Sequence, residues 1–205
     1  MFDKSLFTMP AQPRPYSAPF ITPQEYLATE RQASFKSEYY QGQITAMAGA
    51  TRAHNLLVSN LIISLGNRLN DSCTIYPSDL RVHVPTNGLY TYPDASVVCG
   101  PEEFLKDAYL DTLLNPVMLI EVLSKTTAAD DRSSKFLLYK SIASLQYYLL
   151  VESLSMGVSV YAREQDPNAW TFREYHSPTT VIPLPVLGLE LPLGTVLNYG
   201  VVDRL

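Results

Sequence analysis

Between Arg52 and Leu69, leucines fall at 57, 61, 65 and 69, and Leu56, Val58 and Ile62 widen the stripe. That spacing is one face of an α-helix, so Arg52–Leu69 is predicted as an amphipathic helix. A shorter helix is predicted over Pro23–Glu30. Thr22 can cap it, Pro23 suits its first position, and Glu25 stands where a capping-box acid belongs. Between the helices, Phe35–Tyr40 alternates, Gln41-Gly42 supplies a turn, and Gln43–Met47 returns, which predicts a hairpin. Prolines at 10, 13, 15 and 19 break all periodicity in residues 1–20, which read as an extended or disordered arm.

After Leu69 the period changes to two. Cys73–Tyr76, Leu80–Val84 and Tyr90–Val98 read as strands, with Pro-Thr-Asn-Gly at 85–88 as a turn. Pro101-Glu102-Glu103-Phe104 has the look of a short helical start. Val117–Leu123 is apolar except for Glu121, as in a strand buried on both faces. A second long helix is expected over Ala128–Ala143, with Phe136, Leu137, Tyr139 or Lys140, and Ala143 inward. Strands follow at Tyr147–Val151, Val158–Tyr161 and Trp170–Tyr175, then a proline-punctuated tail. Strands and helices mix without regular alternation, which predicts a single α/β domain over residues 21–205 with a mixed sheet core flanked by helices. Tyr90–Val98 and Val117–Leu123 are expected as neighbours in its central sheet.

Composition narrows the function classes. With 205 residues, 46% hydrophobic and 17% charged, the chain can bury a real core. No apolar run reaches the roughly 20 residues of a membrane span, so no membrane partner is expected. No signal peptide is visible, and two cysteines, Cys73 and Cys99, cannot build a disulfide framework, so a reducing cytoplasm is the expected setting. A net charge of −5 is not the footprint of a non-specific nucleic-acid binder. Glycine-rich phosphate loops, G-x-S-x-G and H-E-x-x-H are absent, and His54, His83 and His176 have no zinc-site spacing.

Two acids stand out by position. Asp94 leads into an apolar strand, and Glu121 interrupts one. A carboxylate buried in a strand costs several kcal/mol unless it is paired or holds a cation. Either acid alone fits a structural ion pair. Two on neighbouring core strands, followed by a helix bearing Lys135, fit Mg²⁺ or Mn²⁺, which take hard oxygen ligands. His54 could face the cleft or serve as a capping or surface histidine; Asp79 could join the acids or form a turn. Asp131 can pair with Lys135 at i,i+4. Tyr139, Tyr147 and Tyr148 read as packing residues with polar tips.

These residues carry a resemblance. Pro93-Asp94, Glu121-Val122-Leu123-Ser124, Asp131-x-x-x-Lys135-x-x-x-Tyr139 and Tyr147–Val151 resemble the Uma2 family of the PD-(D/E)xK restriction-endonuclease-like superfamily. So do Glu38–Ile44, Met47-Ala48-Gly49 and His54 upstream. The likeness spans about residues 20–200. It implies a restriction-endonuclease-like fold, a metal-dependent endonuclease hydrolysing phosphodiester bonds in DNA, Mg²⁺ or Mn²⁺ as cofactor, and a homodimer. The apolar tail Val181–Leu197, read as an edge needing cover, points to a dimer as well. Asp94 and Glu121 would hold the metal with the Val122 carbonyl, and Glu38 would be a further acid. The superfamily lysine stands two residues after the acid, where this chain has Leu123. Lys135, a full turn past Asp131, is the favoured substitute and Lys125 the other. The displaced lysine leaves a second expectation: a catalytically degenerate nuclease fold acting as a binding or assembly module.

Overall fold

A computed structural model describes residues 19–124, 128, 131–153 and 157–197. The expected arm lies outside these residues except for Pro19 and Phe20. Helix α1 (Pro23–Glu30) opens with the capping box: Glu25 N–H donates to Thr22 Oγ1 at 3.3 Å and Thr22 N–H donates to the Glu25 carboxylate at 2.8 Å. Strands β1 (Ser37–Tyr40) and β2 (Gln43–Ala46) form the expected hairpin. Gln41 and Gly42 take φ of 48° and 82°, the primed-turn geometry whose twist matches antiparallel strands. Gly42 also leaves no room for a side chain, because a Cβ there would meet the Phe20 ring at 2.2 Å.

Helix α2 (Arg52–Gly66) carries the leucine stripe inward, and Leu57, Leu61 and Leu65 are buried. It packs on a six-stranded sheet of β3 (Cys73–Pro77), β6 (Ala95–Cys99), β8 (Met118–Leu123), β9 (Tyr147–Glu152), β10 (Val158–Arg163) and β11 (Trp170–Tyr175). The strand order is β11-β10-β9-β8-β6-β3. β8 and β9 are parallel and the other pairs antiparallel, so the sheet is mixed. A five-stranded sheet, β2-β1-β5-β4-β7, adds β4 (Arg81–Val84), β5 (Leu89–Thr91) and β7 (Thr112–Leu113). The tail folds into β12 (Val181–Leu184), β13 (Leu189–Pro192) and α4 (Leu193–Leu197).

β8 is buried on both faces, as its apolar run dictates. Met118, Ile120 and Val122 join α2 and the tail in one core cluster; Leu119 and Leu123 join Tyr148, Leu150 and the smaller sheet in another. The tail's apolar residues Ile182, Leu184, Leu191, Leu193 and Val196 are therefore buried within this chain. They cover its own sheet, which removes the tail as a reason to expect a second copy.

Other expectations are corrected. Tyr90–Val98 is two strands, β5 and β6, in different sheets. Pro93 has no N–H to give a ladder, so pairing stops and the chain steps between sheets at Tyr92-Pro93-Asp94. Only β6 is the neighbour of β8. The helix expected over Ala128–Ala143 is, among the described residues, a π-helical turn (Asp131–Lys135) running into the short α3 (Phe136–Tyr139). It ends at Tyr139, and side chains satisfy the carbonyls at its end: Asn87 donates to Leu138 O at 3.0 Å and Arg163 to Lys140 O at 2.9 Å. Leu137 is exposed rather than inward. Residues 101–104 form no helix, and Phe104 instead makes a β-bridge to Leu113. Cys73 and Cys99 are paired residues of β3 and β6, joined by a disulfide with a Cα separation of 4.0 Å. The sequence gives no sign that the two strands are partners, so two cysteines read only as too few for a disulfide framework, and the reducing setting inferred from them loses that support.

Candidate active site

Asp94 stands at the step between the sheets. The β6–β8 register pairs Ala95 with Ile120, and one step further sets Asp94 against Glu121. Its carboxylate is held at both oxygens: the Val122 N–H donates to Oδ2 at 2.7 Å, and His54 Nε2 lies 2.9 Å from Oδ1. His54 comes from the first turn of α2, whose start is fixed by Thr51 accepting from the His54 N–H. Val122 thus enters the site through its N–H.

Glu121 is two residues before Leu123 on the same face of β8, turned toward the π turn. Its Oε1 accepts from Tyr139 OH at 2.9 Å and from Lys135 Nζ at 3.2 Å. Lys135 Nζ is also 3.1 Å from Glu38 Oε1 and 3.2 Å from Asp131 Oδ1. Glu38 arrives from β1 and accepts from Thr91 Oγ1 at 2.6 Å; Thr91 Oγ1 lies 3.2 Å from Tyr139 OH. Glu38, Glu121, Asp131 and Lys135 are thus one cluster, with three carboxylates on one ammonium; Glu121 and Asp131 are buried, Glu38 and Lys135 half-buried.

One cation does not balance three carboxylates, two of them buried. Burial pushes the Glu121 carboxyl up to about 8; Lys135 opposes the rise, while Asp94, Asp131 and Glu38 add to it. Lys135 is itself buried, which disfavours its charge, yet Glu121, Glu38 and Asp131 together raise it. These directions are compatible: the surrounding carboxylates favour the ammonium, and burial opposes the ionisation of Glu121. Burial, then Glu121 and Glu38, raise the Tyr139 phenol well above its ordinary value, so it remains a donor.

The structure brings Glu38, Glu121 and Lys135 into contact and sets Asp94 beside Glu121. Lys125 lies outside the described residues. Asp79 is exposed and pairs with Lys36 instead. His54 is drawn to Asp94, and Asp131 is a third acid on Lys135. Thr91 and Tyr139 were not foreseen as site residues; their partners are 53 and 18 positions away, so only the fold reveals them. Tyr147 and Tyr148 are buried packing residues with bonded hydroxyls, on Val186 N–H and Asp131 O.

Among the described residues, no set of three or more His, Cys, Asp or Glu side chains is gathered into a metal cage. Mg²⁺ does not need one, because it keeps waters and uses one or two carboxylates. Asp94 suits that role, since an ionised carboxylate has about four acceptor sites and two of its are engaged. Both donors to Glu121 reach Oε1, leaving Oε2 for an oxygen-seeking cation.

Residues 23–194 match the sequence model of the Uma2 family, described as "Putative restriction endonuclease". The uncharacterized protein slr1290 of Synechocystis sp. is 34% identical over 88% of this chain and 94% of its own length. The uncharacterized protein sll1609 of the same organism is 36% identical, over 75% of this chain and 86% of its own. A crystal structure of "a putative nuclease belonging to DUF820" from Anabaena variabilis superposes with a TM-score of 0.66 and 20% identity. That match covers 81% of this chain and 92% of the other, and establishes the restriction-endonuclease-like fold.

Proposed function

The chain belongs to the Uma2 family, and on that premise we propose that it is a metal-dependent endonuclease hydrolysing phosphodiester bonds in DNA. The observation that supports this most is the convergence of Glu38, Glu121 and Lys135, with Asp94 set against Glu121 across β6 and β8. Asp94, Glu121 and the Val122 carbonyl would hold Mg²⁺ or Mn²⁺. That ion would neutralise the scissile phosphate and lower the pKa of a nearby water.

The chain's own residues do the rest. Lys135 is the positive group of the cleft; aimed at a phosphoryl oxygen it stabilises the charge that develops there. Glu38 and Asp131 keep it charged and in place. Tyr139 fixes one oxygen of Glu121 and His54 one oxygen of Asp94, so the two acids are oriented before a substrate arrives. We also propose a homodimer in the cytoplasm, where the Cys73–Cys99 pair would be held as thiols until the protein meets an oxidising medium. Among the described residues no helix is long and apolar enough to cross a membrane.

A second reading has its own support. Leu123 fills the position of the superfamily lysine, and Lys135 is already engaged by three acids. A fold retaining its acids but not its chemistry would act as a binding or assembly module. Calorimetric titration of Mg²⁺ or Mn²⁺, with a nuclease assay beside it, separates the two. Expected is divalent binding that is lost in Asp94→Ala, and DNA cleavage that falls at least about a hundredfold in Lys135→Ala with metal binding kept. Metal binding without cleavage of any DNA form would support the module. An unchanged rate in Lys135→Ala would move the role to Lys125.

A further inference from the structure

Three strands of the six-stranded sheet carry aromatic side chains in one cross-strand row. Tyr148 of β9 pairs with Tyr161 of β10, and Tyr161 with Phe172 of β11. Glu121 shares this face, since Leu119, two residues before it on β8, is the partner of Tyr148. The row therefore starts beside the candidate active site and runs to the sheet's outer edge. At the inner end Tyr139, the phenol bonded to Glu121, meets Tyr148 edge-on with centroids 5.3 Å apart. Phe136 roofs the middle, 4.1 Å from Tyr161 at 24° and 6.2 Å from Tyr148 at 8°. Tyr161 then meets Phe172 at 4.8 Å. There the stack ends, on an edge strand, with Phe172 51% exposed.

The rings are fixed in place. Tyr161 OH donates to the carbonyl of Arg132 at 3.4 Å, and Arg132 belongs to the same π turn as Lys135. One short segment thus sets both the ammonium in the site and the rings outside it. A rigid stack with an open end offers one more place to a flat π-system. The neighbouring acids, read as a nuclease site, point to a nucleobase. At −5 this chain has little phosphate-neutralising affinity for single strands or duplex alike, so a base contact has the more to add. Stacking on aromatic side chains contributes about 1–3 kcal/mol per base whatever the charge, and a base offers its face only when unpaired.

We infer that the Phe172 end of the row is a nucleobase-stacking subsite, and that the substrate is single-stranded or locally unpaired DNA. The inference rests on the nuclease reading of the neighbouring acids. β11 lies three strands from β8, about 14 Å at ordinary strand spacing, so the subsite engages a nucleotide a short way along the strand from the scissile bond.

The test is fluorescence anisotropy of a labelled oligothymidine and of a duplex of equal length, with Ca²⁺ as the divalent ion, on the full chain and its variants. Cleavage of both DNA forms is assayed in Mg²⁺ and Mn²⁺. Wild type should bind the oligothymidine more tightly than the duplex. Phe172→Ala, at an exposed position, should weaken oligothymidine binding about tenfold and leave duplex binding unchanged; Phe172→Trp should restore it. Unchanged oligothymidine affinity in Phe172→Ala, with cleavage intact, overturns the subsite and spares the nuclease reading. Failure of wild type to bind or cleave either form overturns both. A Phe172→Ala variant that changes only its sedimentation assigns the ring to contact with a second copy, and the subsite falls.

Discussion

Glu121 is the residue on which the site's electrostatics turn. Its carboxyl is pushed up from an ordinary 4.5 to about 8, chiefly by burial. In metal-free protein the folded state therefore keeps a proton that the unfolded chain gives up near pH 4.5. A carboxyl that binds its proton more tightly in the folded state favours folding at low pH and loses that contribution as pH rises toward the folded value. Between about pH 4.5 and 8, Glu121 thus makes the chelated protein less stable as pH rises. Glu121→Gln, which keeps the shape without the charge, should remove that slope. It should exceed wild type at pH 8 by up to roughly several kcal/mol. Denaturant midpoints from pH 5 to 9 in EDTA would show it; parallel profiles for the two proteins would mean that Glu121 is charged throughout. The acids of the site were legible in the sequence because a carboxylate in an apolar strand is conspicuous. Lys135 was legible through its i,i+4 relation to Asp131 and the family resemblance. Thr91 and Tyr139 were not. A threonine in a strand and a tyrosine on a helix look the same whether they bond a catalytic carboxylate or merely pack, and their partners are brought to them by tertiary structure alone. His54 is the intermediate case, visible as a polar residue near a helix start but tied to Asp94, 40 positions on, only by folding.

At the scale of elements, what periodicity encodes came through. The leucine stripe of α2, the Gln41-Gly42 hairpin and the doubly buried β8 each follow from local pattern. The misread elements are those where a long-range partner overrides the pattern. Alternation over Tyr90–Val98 says strand but cannot say in which sheet, and Pro93 is the one local hint of the switch. The Ala128–Ala143 pattern says helix, yet the helix ends at Tyr139, where Asn87 and Arg163 from distant parts of the chain satisfy the carbonyls of its end. The Cys73–Cys99 link is of the same kind, because it depends on β3 lying beside β6. It joins residues 26 positions apart and ties the outermost strand to the one that begins after Asp94. Closing a loop of that length is worth about 3–4 kcal/mol in the chain-entropy account. Purified protein should show no free thiol until reduced. Dithiothreitol, or Cys73→Ser with Cys99→Ser, should lower the unfolding free energy by up to that amount. Thiol titration that finds two free cysteines before reduction would remove the link and the stability assigned to it.

For the molecule as a whole, association falls to the sheet edges, because the tail's apolar residues are packed into its own core. Burial of Ile182, Leu184 and Leu191 leaves β2, the end strand of the smaller sheet, as the stronger candidate for pairing with a second copy. All of Gln43–Ala46 is exposed, and the strand carries neither the charge nor the proline with which exposed edges are ordinarily blunted. Ile44, 37% exposed, puts an aliphatic side chain beside that unpaired ladder. In the hairpin register Ile44 pairs with Tyr39, while Glu38, one of the acids on Lys135, pairs with Thr45. A partner strand added at β2 would therefore lie two strands from the site, bringing two sites to one continuous sheet without filling either. Sedimentation velocity at micromolar concentration should find a dimer for wild type. Ile44→Lys should give a monomer, because a lysine on the edge disfavours strand addition while Ile44 contributes little to the core. Glu38 stands on β1 and Asp94 and Glu121 farther in, none of them on β2, so metal affinity should be the same in the monomeric variant. A wild type that sediments only as a monomer would refute the homodimer, and an Ile44→Lys variant that remains dimeric would move the interface away from β2.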